Sequence, residues 1–174
     1  MKTSFIIKNS YVFPLVSLIV LFLFIGFMSQ PDREKTYKVH NHHEDMGKKP
    51  WVLDIEEATV DNTNYRIARW TGEYMQMVLM SLKPGEIIDL EVHEDHDQFI
   101  RIEQGEARVR MGETRDNLTF DENVLDDWAI FIPAGYWHQV SNTGNIDLKL
   151  YTIYAPSEHP FGTVQKTYEP KHHH

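Results

Sequence analysis

From Trp51 onward the chain consists of short runs in which apolar and polar residues alternate, and this alternation limits the folds open to it. The runs are rich in Val, Ile, Tyr, Phe and Trp and are bounded by Gly, Pro, Asn and Asp; they include YRIARWTG, QFIRIEQG, DWAIFIPAG and DLKLYTIYAP. A period of two is typical of half-buried β-strands. About eight strands at this spacing predict an all-β sandwich or small barrel. No run after residue 50 has a convincing helical period, which argues against βαβ folds.

The amino-terminal part differs sharply from this body. Residues 11–28, YVFPLVSLIVLFLFIGFM, are uncharged, and no charged residue occurs between Lys8 and Asp32. Such a run indicates a transmembrane helix, and the lysines before it favour a cytoplasmic amino end with the rest of the chain outside. The competing interpretation is a cleaved signal peptide, for which FIGFMSQ offers a poor cleavage site. Both interpretations place the body outside the cytoplasm, either membrane-anchored or secreted.

The predicted organisation therefore has four parts. Residues 1–29 form the anchor or signal segment, 30–50 a polar linker, 51–165 the β-barrel and 166–174 a polar tail. The linker has no apolar period, which is typical of a solvated tether. The final three histidines are either native or the remnant of a purification tag.

Charge and cysteine content exclude several classes of function. The formal net charge is −9 and no basic stripe is visible, so nucleic-acid binding, which depends on Lys and Arg at phosphates, is not expected. The chain has no cysteine. Disulfides, thiolate metal sites and a thiol nucleophile are therefore excluded.

One segment, EVHEDHDQFIRIEQG at residues 91–105, concentrates side chains that bind metals just before a predicted strand. Residues two apart on a strand share a face, so Glu91 and His93 are expected to point the same way. Downstream, Pro133 and Gly135 predict a tight turn, and His138 follows it on the next strand. A further imidazole could thus reach the same place from a different strand.

These two segments resemble the motifs of the cupin family. The first cupin motif is Gly, five residues, His-x-His, three or four residues, Glu, six residues and Gly. The second is Gly, five residues, Pro-x-Gly, two residues, His, three residues and Asn. This chain keeps both spacings across roughly residues 75–155, with these residues at the motif positions: Gly85, Glu91, His93, Gln98, Gly105, Asp127, Pro133, Gly135, His138 and Asn142.

The resemblance implies a single jelly-roll barrel with one divalent metal ion, Fe, Mn, Ni or Zn, near one end. Carried over by position, the ligands would be Glu91, His93, Gln98 and His138. Two imidazoles and one carboxylate are typical of non-haem Fe(II) sites. Glu replaces the usual His at the first position and Gln the usual Glu at the third. A solvated strand carboxylate for Glu91 and a buried, hydrogen-bonded amide for Gln98 remain the alternatives.

Other residues near the motifs have weaker predicted roles. His96 is an alternative ligand if its loop bends inward. Asp97 is expected to accept a hydrogen bond in the turn or from a ligand imidazole, and Asn142 to stabilise the turn SNTGN. Tyr136 and Tyr151 are the candidate proton carriers, and the inward face of the last long strand cannot be assigned.

The function remains open between two main hypotheses. The first is a metal-dependent enzyme, a dioxygenase or a sugar-type isomerase or lyase, that acts on a small oxygenated metabolite such as a sugar or an organic acid. The second is a non-catalytic module that binds or senses such a ligand. Homodimerisation is expected by similarity to many cupins and from exposed sheet edges. A storage globulin would need two such domains, and a transcription factor would need a helix-turn-helix segment that is not visible.

Overall fold

The computed structural model of the protein describes residues 44–170, so the anchor or signal segment predicted at 1–29 lies outside the described residues. No helix within residues 44–170 has the length and hydropathy needed to cross a membrane. This region contains one short helix and ten strands: α1 (Ile55–Val60), β1 (Arg66–Thr71), β2 (Gln76–Leu82), β3 (Ile87–Glu91), β4 (Asp97–Gln104), β5 (Glu106–Gly112), β6 (Phe120–Leu125), β7 (Ala129–Ile132), β8 (Trp137–Asn142), β9 (Leu148–Ala155) and β10 (Val164–Gln165).

The strands form two antiparallel sheets. The larger sheet has the order β10-β1-β2-β9-β4-β7, and the smaller has the order β3-β8-β5-β6. All the strand pairs in both sheets are antiparallel. The all-β architecture predicted from the alternating runs and the jelly roll implied by the cupin resemblance are therefore confirmed.

The core lies between the sheets and follows the alternation along each strand. On β4, Ile100 and Ile102 are fully buried, whereas their neighbours Phe99 and Arg101, on the opposite face of the strand, are half-buried. On β5 of the smaller sheet, Ala107 and Val109 face the same interior. Burying each large aliphatic side chain contributes roughly 1.5–3 kcal/mol, so these rows fix the register of both sheets.

Strand β9 resolves the assignment that the sequence left open. Its inward face carries Leu148, Leu150, Thr152 and Tyr154, all of which have 0% exposure. Tyr151 lies on the other face, where it packs against a separate apolar cluster. The strand thus places a buried phenol, that of Tyr154, at the end of the barrel where the chain leaves β9.

Helix α1 was not predicted, because six residues are too few to show a helical period. Asp54 caps its amino end by accepting a hydrogen bond from the Glu57 N–H at 3.2 Å. The helix lies over the outer face of the larger sheet, where Ala58 packs with Ile67 and Leu79. It therefore supports the sheet from outside and takes no part in the barrel interior.

Both flanking segments make hydrogen bonds with the barrel. Asp45, in the predicted linker, accepts hydrogen bonds from the backbone N–H groups of Gly47 and Thr71 at 2.9 Å and of Gly162 at 3.0 Å. In the predicted tail, the Tyr168 hydroxyl donates to Asp89 at 2.8 Å. Asp45 therefore attaches the end of the linker to the barrel, and Tyr168 attaches the tail to it.

Candidate metal centre

The candidate site begins with a cross-strand pair at the end of the smaller sheet. Glu91 is the last residue of β3, and it lies opposite His138 on β8 in the antiparallel register. Glu91 Oε1 is 3.8 Å from His138 Nε2. The His138 side chain is completely buried, and that of Glu91 is 14% exposed. Strand pairing alone therefore brings together two residues that are far apart in the sequence.

His93 completes this group from the turn that follows β3. Its Nε2 atom is 3.7 Å from Glu91 Oε1, and its ring centroid is 5.2 Å from that of His138. The Gly135 N–H donates to the His93 carbonyl at 2.8 Å, which docks the Pro133–Gly135 turn onto the His93 turn. Gly135 has φ of 80°, a conformation that favours glycine. The second motif's glycine thus helps to position the first motif's histidine.

Gln98 reaches the same interior from β4 in the larger sheet. Its amide Nε2 donates to Thr152 Oγ1 at 3.0 Å, and the residue is 2% exposed. Its Oε1 atom is buried and has no hydrogen-bond partner in the described part of the chain. The hydrogen bond to Thr152 leaves the oxygen as the free end of the amide.

His138 is held in one tautomer. Its Nδ1 atom lies 2.9 Å from the Tyr136 carbonyl, which can only accept, so Nδ1 carries the proton and Nε2 presents a lone pair. Burial lowers the pKa of His138 below its usual value, and the Tyr136 carbonyl and Glu91 only partly oppose this effect. The imidazole is therefore neutral at neutral pH, the form that binds metals.

Glu158 and Tyr154 also adjoin this group, and neither was predicted from the sequence. Glu158, in the segment after β9, has its Oε2 atom 3.6 Å from His93 Nδ1 and 3.3 Å from His96 Nε2. Tyr154 meets His93 edge-on with a centroid distance of 5.6 Å. Burial strongly raises the pKa of Tyr154. Counting by two along β9 from Leu150 would have found Tyr154, but Glu158 follows the last alternating run, and no periodic signal marks it.

His96, the alternative ligand, does lie in the cluster. Its ring stacks on that of His93 with a centroid distance of 4.5 Å, and its Nδ1 atom is 2.9 Å from Asp95 Oδ1. The turn over residues 92–96 bends it inward, although on a regular strand it would face away from His93. It faces Glu158 and not Glu91.

The remaining predicted residues have these positions. Asp97 accepts a hydrogen bond from the Ala134 N–H at 3.0 Å, within the turn contact. Asn142 donates to the carbonyls of Leu82 and Ile146 and accepts from the Gly144 N–H, so it does join the SNTGN turn to β2. The Tyr136 hydroxyl points to Glu113 at 3.4 Å. Tyr151, the other candidate proton carrier, is on the outer face of β9 and is not brought to the cluster.

A groove of about 340 Å³ lies on the outer surface near this end of the barrel. Phe99, Phe131 and Ile153 line it, on the faces of their strands that point away from the core. The His93 and His138 side chains do not line it. Of the four candidate ligands, only Gln98 is among the residues that line the groove, and Glu91 is absent as well.

Comparison with known proteins agrees with this architecture. Residues 78–154 match the protein family described as "Cupin domain". The matched region contains the four candidate ligands, on β3, in the turn that follows it, on β4 and on β8. The chain belongs to the cupin superfamily, as the two motifs indicated.

The relatives define the family but no activity. YrkC of Bacillus subtilis (strain 168) is 57% identical over 123 residues, which cover 71% of this chain and 66% of YrkC. L612 of Acanthamoeba polyphaga mimivirus is 47% identical over 116 residues, which cover 66% of this chain and 70% of L612. Both are described as uncharacterized. The crystal structure of BH2720 from Bacillus halodurans has a TM-score of 0.70 and 54% identity, and the match covers 71% of this chain and 93% of that one.

Proposed function

We propose that the protein binds one divalent metal ion through Glu91, His93, Gln98 and His138, and that a small oxygenated metabolite binds to this ion. The observation that carries the proposal is the convergence of Glu91 Oε1 with the Nε2 atoms of His93 and His138. One ligand atom from each of these residues lies within 4.8 Å of the other two. Sugars and organic acids are the proposed ligands, because their oxygen atoms coordinate such ions.

The residues fit a metal ion in three respects. Two ligands that are each about 2.1 Å from one ion lie roughly 3–4 Å apart, and the distances from Glu91 Oε1 to the two imidazoles are 3.7 and 3.8 Å. These distances are too long for hydrogen bonds. The Nε2 atoms of His93 and His138 and the Oε1 atom of Gln98 are buried and have no hydrogen-bond partner among residues 44–170. An ion would satisfy all three atoms.

The surrounding residues orient these ligands. The Tyr136 carbonyl fixes the His138 tautomer, and the Thr152 hydroxyl holds the Gln98 amide with its oxygen free. A bound divalent ion supplies Lewis acidity, which polarises an oxygen atom of a coordinated ligand. Apolar side chains on the inward faces of β4 and β8, such as Ile100 and Val140, close the interior behind the polar end and exclude water from it.

Metal content tests the proposal directly. The full chain is purified in detergent without an added tag, dialysed against Mn²⁺, Fe²⁺, Ni²⁺ or Zn²⁺, and analysed by elemental analysis. We expect about one ion per chain in the parent, and its loss in Glu91→Gln and His138→Leu. His138→Leu removes the ligand atom and Glu91→Gln removes the anionic charge of the ligand, and both keep the approximate volume of the side chain. A variant with His40, His42 and His43 replaced by Ala controls for the histidines of the amino-terminal segment and is expected to keep the ion.

An ion that remains in both variants, or a parent that stays empty after metal addition, would contradict the proposal. Circular dichroism of each variant checks that the loss of metal does not result from unfolding. Turnover of sugars and organic acids under air and under nitrogen then distinguishes oxygen-dependent chemistry from isomerisation or elimination. Ligand-induced thermal stabilisation without turnover would instead favour the binding or sensing module.

The location and assembly of the protein are separate proposals. The uncharged segment 11–28 supports an anchor that holds the cupin domain outside the cytoplasm. Protease added to intact cells should remove the domain, and membrane fractions should retain the anchor.

The exposed outer-face residue Phe131, which is 71% exposed and stacks edge-on with Phe99, supports a homodimer. Light scattering should show twice the chain mass, and Phe131→Glu should reduce it.

A further inference from the structure

We propose that His93, His96 and Glu158 form a second, outer site for a divalent cation, adjacent to the inner site proposed above. One ligand atom from each of these residues lies within 4.8 Å of the others. Glu158 Oε2 is 3.3 Å from His96 Nε2 and 3.6 Å from His93 Nδ1. Ligands around one ion have such separations, and neither contact makes a good hydrogen bond.

A buried ring nitrogen of His96 that faces a carboxylate without a good hydrogen bond is the observation that points to a cation. The Asp95 carboxylate lies 2.9 Å from His96 Nδ1, and an ionised carboxylate can only accept, so Nδ1 carries the proton. His96 Nε2 is therefore the ring atom that faces the Glu158 carboxylate. His96 is 7% exposed, and its Nε2 atom has no hydrogen-bond partner within residues 44–170. A cation bound between this buried nitrogen and the Glu158 carboxylate would satisfy both atoms.

The outer site is held in place by the segment after β9. Gln76, which is fully buried on β2, donates from Nε2 to the His159 carbonyl at 2.8 Å and accepts from the His159 N–H at 2.9 Å. These two hydrogen bonds fix the backbone next to Glu158. The carboxylate thus reaches the histidines from a segment with a defined position.

His93 links the outer site to the inner one. A neutral imidazole has one lone pair, so His93 can bind an ion either through Nε2, towards Glu91, or through Nδ1, towards Glu158. The two sites therefore compete for His93. The Glu158 side chain is 33% exposed, whereas that of His138 is completely buried. A cation from solvent reaches the outer ligands first, and a change of the His93 tautomer transfers it inward.

Cobalt titration tests the outer site in a protein that lacks the inner one. The full chain with Glu91→Gln and His138→Leu is titrated with Co²⁺ and followed by visible absorption and equilibrium dialysis. We expect about one Co²⁺ per chain, bound at least tenfold more weakly than by the parent. Adding His96→Leu and Glu158→Gln should abolish this binding. Equal Co²⁺ binding by the double and quadruple variants would overturn the proposal.

A kinetic measurement keeps the proposal testable if the inner-site variants do not fold. In the parent background, His96→Leu with Glu158→Gln should slow Co²⁺ uptake at least tenfold, while the final occupancy stays near one ion. An unchanged uptake rate would overturn the outer site. The inner site rests on a different result, the loss of the parent's ion in Glu91→Gln and His138→Leu, so failure of either proposal is recognised separately.

Discussion

Gln98 supplies a neutral amide oxygen at the position where the cupin motif usually has a carboxylate. In the proposed inner site, Glu91 would be the one anionic ligand beside two imidazoles. Because ligand charge contributes strongly to cation affinity, a site with one carboxylate should bind its ion more weakly than a site with two. The chemistry of this single side chain therefore sets the expected strength of metal binding.

Replacing Gln98 with Glu should strengthen metal binding. The Thr152 hydroxyl can donate to the new carboxylate, so the contact at this position is kept. We expect about tenfold tighter Zn²⁺ binding, or roughly 1.4 kcal/mol, in competition with a chromophoric chelator. Gln98→Leu is the matched control without an oxygen and should bind about tenfold more weakly. If neither variant changes the affinity, the Gln98 oxygen is not a ligand.

At the scale of elements, the strands were predictable from the sequence, whereas helix α1 and the irregular segment after β9 were not. Alternating residues mark β4, β5 and β9 because one face of each strand meets the core, and the motif spacing places Glu91 and His138 at neighbouring strand ends. Helix α1 depends on one capping residue, Asp54, and on tertiary packing. Glu158 depends on the path of an irregular segment, which hydrogen bonds from a distant strand determine and no local pattern reveals.

Gln76 provides the test of that segment. Gln76→Leu removes both hydrogen bonds to His159 and leaves the half-buried backbone groups of His159 without these partners, which should cost about 2–3 kcal/mol in the free energy of unfolding. Hydrogen exchange at residues 157–161 should become faster, while exchange in β4 and β9 should not. Gln104→Leu, which removes one hydrogen bond to the Asp147 carbonyl, is the control. Slow exchange at 157–161 in Gln76→Leu would refute the proposed restraint.

The short helix offers a smaller test. Asp54→Ala removes the side-chain acceptor for the Glu57 N–H at the start of α1 and should lower the free energy of unfolding by about 1 kcal/mol. Urea denaturation followed by tryptophan fluorescence measures the change. Glu56→Ala, in the first turn of the same helix, should have a smaller effect. Equal losses in both variants would show that the cap contributes little.

At the scale of the whole molecule, the described domain includes its flanking segments. Asp45 joins the segment before the barrel to the end of β1 and to the Gly162 turn through one carboxylate. Tyr168 returns to the core beside Tyr65, with a ring centroid distance of 5.3 Å. The polar composition of these segments suggested a tether and a tail. Their attachment could not be predicted, because hydrogen bonds from a single carboxylate to backbone groups leave no periodic signal in the sequence.

Removing the Asp45 carboxylate should therefore destabilise the domain. Asp45→Ala leaves the N–H groups of Gly47, Thr71 and Gly162 without this acceptor, and we expect a loss of about 2–3 kcal/mol in urea denaturation. Asp116→Ala, at an exposed turn residue, should change stability by less than about 0.5 kcal/mol. A similar stability for both variants would mean that the Asp45 carboxylate contributes little to the stability of the fold.

The pairing of Glu91 with His138 has a further consequence for a chain without cysteine. An ion held by both residues would cross-link positions that are about 50 residues apart along the chain. A covalent disulfide closing a loop of that length restricts the unfolded chain by about 4 kcal/mol on the chain-entropy estimate. A metal cross-link would act in the same direction, but reversibly and in proportion to the free ion concentration. The concentration of the free metal ion would then set how much of this stabilisation the folded domain receives.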